Sequence, residues 1–197
     1  MNKKIKQYSA LALAAATVIP MACKKEEKND ANIEDKSINK IITAVGTATE
    51  YEKEDSIDID GDGQFDFEFV VGGEIYDGTT YGFSGASGKK SGDDILALDQ
   101  TFGPYTVPVA IAKNSGDKLN STSTNWENFA YFGYKYGSQE IGFAGDGDKL
   151  LGFRFKSGVN THYGWMKVNL AADYKTLTIK ELAYHKTPNT EIEAGAK

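Results

Sequence analysis

The chain has 197 residues, with 22 Lys+Arg against 28 Asp+Glu and a formal net charge of −6. Three bases (Lys3, Lys4, Lys6) and no acid lie in the first 22 residues, so the other 197 − 22 = 175 carry 19 − 28 = −9; with Arg154 as the only arginine, this excludes an electrostatic nucleic-acid binder. One cysteine excludes an intrachain disulfide, so the fold depends on an apolar core, and 21 Gly with 12% aromatics favour β structure.

Residues 1–22 read as a signal peptide. A basic start (Met1 to Tyr8) precedes the apolar run Ala10 to Ile19, ten residues and too short to span a bilayer as a helix. Ile19-Pro20-Met21-Ala22-Cys23 follows. A lone cysteine just after the apolar run, preceded by Ala, resembles the lipobox of bacterial lipoproteins. Lys24-Lys25-Glu26-Glu27 resembles the acidic export signal that follows the lipidated cysteine in surface lipoproteins of one Gram-negative lineage. The resemblance implies lipidation at Cys23, anchorage to the outer membrane and exposure at the cell surface. Several acyl chains would hold the protein far more firmly than one.

Residues 23–40 carry charge and almost no apolar side chain, so they are expected to be a flexible tether. A domain is expected over 41–190, with 191–197 as a tail. Expected strands are Ile41–Thr49, Ser56–Ile59, Phe65–Val71, Ile75–Phe83, Ile95–Leu98, Thr106–Ile111, Phe129–Tyr136, Glu140–Phe143, Leu150–Phe155, His162–Asn169 and Thr176–Tyr184. Phe65, Phe67, Phe69 and Val71 alternate with Asp66, Glu68 and Val70, as a strand with one buried face requires. Asp77-Gly78 is a hairpin-turn signal. This spacing of short strands points to an all-β fold, a single antiparallel β-sandwich of jelly-roll type. Gly85–Asp94 and Asn114–Asn125 read as polar surface loops.

The segment Asp58 to Asp66 (DIDGDGQFD) places carboxylates at loop positions 1, 3, 5 and 9. Calcium takes six to eight oxygen ligands, so it needs such a density of acids on a curved loop. Gly61 and Gly63 permit the curvature. Asp58, Asp60, Asp62 and Asp66 are the expected carboxylate ligands, with the Gln64 carbonyl as a backbone ligand. An EF-hand would need Glu at position 12, where this chain has Phe69. The pattern resembles the integrin-type and thrombospondin-type DxDxDGxxD calcium loop set between strands. Its expected role is structural, one Ca2+ neutralising carboxylates and pinning a hairpin; a solvated acidic turn is the plain alternative.

Tyr131, Phe132, Tyr134 and Tyr136, near Trp126, form the densest aromatic run. By strict alternation Phe132, Tyr134 and Tyr136 share one face and Tyr131 lies on the other. Tyr131, Tyr134, Tyr136 and Trp126 are candidate ligand-binding residues for a glycan or an extracellular protein, against the alternative of a core face. Gly145-Asp146-Gly147-Asp148 is expected as a hairpin turn between Glu140–Phe143 and Leu150–Phe155.

The C-terminal half carries Leu150-Leu151-Gly152-Phe153-Arg154-Phe155, then Thr161-His162-Tyr163-Gly164-Trp165-Met166-Lys167-Val168, then Leu177-Thr178-Ile179, Leu182-Ala183-Tyr184 and Thr187-Pro188. Over about residues 105–195 this order resembles a group of secreted bacterial β proteins, some anchored by a PEP-CTERM segment and others lipoproteins. The resemblance implies a β-sandwich and export, and no activity. Read by themselves, Phe153, Phe155, Trp165, Val168, Leu177 and Ile179 are core residues, and Gly164 marks a bulge or a close backbone approach.

His162 and His185 are the only histidines, without the HxxxH or HxH spacing of a zinc site, and no GxSxG context exists. Catalysis is not expected. The sequence favours a surface lipoprotein with a calcium-stabilised β-sandwich that serves as a binding or adhesion module. The alternatives are a structural envelope protein without a small ligand and a carbohydrate-active hydrolase on a jelly-roll scaffold, for which Glu127, Glu140 and Asp146 are candidate acids.

Overall fold

The structure is a computed structural model that describes residues 30–197. The signal peptide, Cys23 and Lys24-Lys25-Glu26-Glu27 lie outside the described residues. Sixteen strands and no helix are found among the described residues. They are β1 (Ile33–Thr43), β2 (Val45–Gly46), β3 (Glu50–Ile57), β4 (Phe67–Tyr76), β5 (Thr79–Gly88), β6 (Asp94–Phe102), β7 (Tyr105–Ala110) and β8 (Ala112–Lys113). The second half holds β9 (Lys118–Leu119), β10 (Trp126–Glu127), β11 (Phe129–Tyr136), β12 (Gln139–Gly142), β13 (Asp148–Ser157), β14 (Asn160–Leu170), β15 (Thr176–His185) and β16 (Ile192–Glu193). The chain is all-β, as its alternating pattern requires.

Fourteen strands form one sheet along the path β1-β15-β14-β13-β6-β7-β11-β5-β4-β3-β2, with β8, β10 and β12 paired at its sides. Every pairing is antiparallel except the short parallel contact of Tyr131 with Val109. Strand β6 joins the two halves. Asp94 and Ile95 pair with Arg154 and Phe153 of β13, while Ala97 to Phe102 pair with β7. The far ends of the sheet meet through side chains. Lys40 Nζ on β1 reaches Asp55 Oδ1 at 2.8 Å and the Ser56 carbonyl at 2.9 Å, and Lys36 Nζ donates to the Ile59 carbonyl at 2.6 Å.

The core lies between the halves. Phe67, Phe69 and Val71 of β4 face Phe132 of β11, Leu151, Phe153 and Phe155 of β13, and Leu177 and Ile179 of β15. Phe67 meets Phe153 edge-on at 5.8 Å across the two halves. A smaller cluster on the outer side of β14 holds Trp165, Leu119 and Ile192, and Trp165 Nε1 donates to the Ala196 carbonyl at 3.0 Å. The segment expected as a tail is thus packed, with β16 paired to β9. Residues 30–197 therefore hold a complete core of their own.

Several expected boundaries move. β1 begins at Ile33, inside the stretch expected to be tether, because edge pairing to β15 satisfies its backbone without many apolar side chains. The expected strand Ile75–Phe83 is broken by the Asp77-Gly78 turn, whose φ values of 47° and 72° suit a tight hairpin. Gly85 to Gly88, expected in a loop, continue β5, and Asp93 and Asp94 beyond them are buried. Leu119, in the other expected polar loop, is buried against Trp165. Gly145–Asp148 is not a hairpin turn. β12 pairs with β11, β13 pairs elsewhere, and the Gly145 N–H donates to the Leu170 carbonyl.

Candidate functional site

The first candidate is the loop between β3 and β4. Ile57 pairs with Phe67, and the Asp66 N–H closes the loop on the Ile57 carbonyl at 2.9 Å. Ile59 turns inward and is buried, anchoring the loop to the core. The aspartate side chains bend back onto the backbone of the loop. Asp58 accepts from the Gly61 N–H at 2.7 Å and, through its other oxygen, from the Gly63 N–H at 2.8 Å. Asp60 accepts from Asp62 N–H at 3.2 Å, Asp62 from Gln64 N–H at 2.7 Å, and Asp66 from Ile59 N–H at 2.6 Å. Gly61 and Gly63 have φ of 80° and 88°, the left-handed conformation that the sequence required of them.

Carboxylate oxygens of Asp58, Asp60 and Asp66 lie within 4.8 Å of one another. Asp62 and Gln64 are exposed, and Asp62 is not part of this group. Its Oδ2 faces Lys90 Nζ at 3.7 Å instead. The same ammonium lies 3.0 Å from Asp66 Oδ1. Burial pushes the Asp66 carboxyl above the usual carboxylate range, in spite of the Ile59 N–H and Lys90. Burial also pushes Asp58 up, but the N–H groups of Gly63, Gly61 and Asp62 outweigh it and hold its carboxyl low.

Sequence reasoning missed Lys90. It lies in the stretch read as a free loop, and nothing in an isolated lysine marks a partner. Its position is built by Asp93, which is fully buried and accepts from the Lys90 N–H at 3.0 Å and the Lys156 N–H at 2.8 Å. The Lys89 N–H also donates to the Asp66 carbonyl at 2.8 Å. The doublet Asp93-Asp94 after Gly92 was the one available signal of a structured turn.

The donor set suits a hard cation. Its side-chain ligands are oxygens only, and one of them, Asp66, is fully buried.

The second candidate is a cleft of about 630 Å³ on the outer face of β11. Tyr81, Tyr105, Tyr131, Tyr134 and Tyr136 line it, with Phe102 and Gln139. Strict alternation would have put Tyr131 on the opposite face from Tyr134. A β-bulge prevents this: pairing with β5 jumps from Tyr131–Gly85 to Gly133–Ser84, leaving Phe132 as the extra residue. Phe132 is buried in the core, and Tyr131 and Tyr134 emerge together with ring centroids 5.2 Å apart. Phe102 meets Tyr134 edge-on at 4.9 Å, and Tyr81 lies 4.8 Å from Tyr136. The hydroxyl of Tyr81 is pushed up to about 12, first by its hydrogen bond with Tyr136 and then by burial. Burial, then Tyr131, Tyr105 and Glu74, likewise raise Tyr134.

No protein-family model, curated protein or solved structure matches this chain.

Trp126 does not join the cleft. It sits on β10, paired with β6, with its ring 6.0 Å from Tyr163 and 5.2 Å beneath the Arg154 guanidinium. Arg154 is fixed there by Asp94 at 2.6 Å. The two histidines are buried in the wall of the domain. His162 Nδ1 lies 2.9 Å from the His185 carbonyl and its ring stacks on Phe155. The Thr187 N–H donates to His185 Nδ1 at 3.1 Å. Of the acids considered for hydrolysis, Glu140 accepts from the Tyr174 hydroxyl at 2.9 Å, Asp146 lies 3.8 Å from Lys149, and Glu127 is on β10.

Proposed function

We propose that this is a surface lipoprotein, held to the outer membrane through Cys23, whose β domain is a calcium-stabilised, non-catalytic binding module. The observation that carries the calcium part is the convergence of Asp58, Asp60 and Asp66 on a loop bent at two glycines. The oxygen-only donors and the three converging carboxylates favour a divalent hard cation. The ion would bind at these carboxylates and lock β3 to β4, and Lys90 would remain as the second counter-charge. The binding part is supported by the tyrosine cleft, because exposed phenol rings on a rigid scaffold suit recognition. The buried, bonded state of both histidines supports a structural rather than a catalytic role for them. Export and anchorage rest on the N-terminal motifs, and the order of the C-terminal strand motifs supports kinship with secreted bacterial β proteins.

The test is a thermal melt of residues 24–197 in calcium and in excess chelator. For a dissociation constant on the order of 10⁻⁴–10⁻³ M, about 10 mM calcium contributes roughly 1.4–2.7 kcal/mol. That raises the midpoint by about 3–11 °C, at about 2–4 °C per kcal/mol for a domain of this size. The rise disappears in Asp60→Ala. Equal midpoints in calcium and chelator would reduce the loop to a solvated acidic turn.

A further inference from the structure

We propose that the tyrosine cleft is a site for a neutral oligosaccharide, an inference that rests on the domain being a binding module. Four features of the cleft select this class of ligand. The first is its surface. Tyr105 and Tyr136 are 67% and 44% exposed, which leaves ring surface accessible for stacking against the C–H face of a pyranose. The second is its polar content. Five phenol hydroxyls and the Gln139 amide offer donors and acceptors at the edges of those rings, which a polyhydroxylated ligand can pair and a purely apolar one cannot.

The third feature is charge. Among the described residues lining the cleft none is ionised, and Glu74 is close enough to act on both Tyr81 and Tyr134. With no cation in the lining and a mature chain of −9, an anionic ligand is repelled rather than drawn in. The fourth is rigidity. Tyr81 packs on Tyr136, and Tyr134 on Phe102 and Tyr131, at 4.8 to 5.2 Å, so ordering these rings on binding costs little. About 630 Å³ falls in the range of small-ligand clefts and exceeds what a single small ring requires.

A proline-rich peptide is the other ligand that aromatic grooves take. The hydroxyl-rich lining favours the sugar.

The experiment is calorimetric titration of residues 24–197 with neutral hexasaccharides: β-1,4-glucose, β-1,3-glucose, β-1,4-xylose, α-1,4-glucose and α-1,6-mannose. An oligogalacturonate and a proline-rich decapeptide are titrated alongside. At least one neutral hexamer should bind with a dissociation constant below about 1 mM, and Tyr105→Ala and Tyr136→Ala should each weaken it about tenfold or more. Tyr105 is exposed and makes no ring pair, so the melting midpoint of Tyr105→Ala should match the parent; Tyr136→Ala also loses its packing on Tyr81 and should melt slightly lower. Neutral-sugar binding that neither substitution alters would overturn the cleft as the site. Tyrosine-dependent binding of the galacturonate or the peptide alone would overturn the ligand class and leave the binding module standing. Binding of none of the probes would remove both.

Discussion

At Gly164 the chain has no room for a side chain. A Cβ there would lie 2.6 Å from the Ala183 carbonyl oxygen and against the Phe153 ring. Both neighbours are core strand residues that cannot yield cheaply. Gly164→Ala should therefore cost about 1–3 kcal/mol, read as a lower midpoint in chemical denaturation with an unchanged slope. The close approach was legible in the sequence, since a glycine inside a strand pattern signals a crowded backbone. Lys90 was not. Its partner Asp66 is 24 residues away, and only the buried Asp93 turn brings them together. Lys90→Met leaves the buried Asp66 carboxylate without its ammonium. In chelator the variant should lose about 1–3 kcal/mol relative to the parent, and in saturating calcium it should lose less. Equal losses in both conditions would show that Lys90 and the ion do not share the carboxylate.

At the scale of elements, the segment after Pro188 decides how the outer side of β14 is covered. Ile192 and Ala194 are buried on Trp165, and the Ala196 carbonyl takes the indole N–H. Deleting residues 191–197 should cost about 2–4 kcal/mol and shift tryptophan emission to the red as Trp165 is wetted. Composition did not disclose this packing, because a short polar run with one isoleucine looks like any surface tail. The bulge at Phe132 was equally hidden. It costs one residue of register in β11, and one residue is enough to move Tyr131 to the face of Tyr134. Strand existence, by contrast, was read well for β4, β11, β13, β14 and β15, whose apolar residues fix the buried phase. Strand β1 was read late, because pairing at a sheet edge asks little of side chains.

At the scale of the whole molecule, side chains rather than a hydrogen-bonded ladder link β1 to β3 among the described residues. Lys40 to Asp55 spans the gap between β1 and β3. The Lys40 hydrogen bond holds the Asp55 carboxyl below its ordinary 3.8, against burial. Burial pushes Glu181 up, but Lys167 and Lys197 outweigh it and hold it below 4.5. Both carboxylates have a lower pKa folded than unfolded. Their contribution is therefore complete above the unfolded values and is lost as pH falls through and below about 4. A melt series should show a flat midpoint near neutrality and a decline in that acid window, with a shallower decline in Lys40→Met. An equal decline in the variant would mean that the β1–β3 ion pair contributes nothing to acid sensitivity.

Calcium binding is the claim on which this account of the domain depends, and direct calorimetric titration of the metal-free chain from Lys24 onward tests it. One calcium per chain is expected, with a dissociation constant on the order of 10⁻⁴–10⁻³ M, and no binding heat in Asp60→Ala. A parent chain that takes up no calcium at concentrations of about 10 mM, or one that binds it equally well after Asp60→Ala, would contradict the assignment of the Asp58 to Asp66 loop.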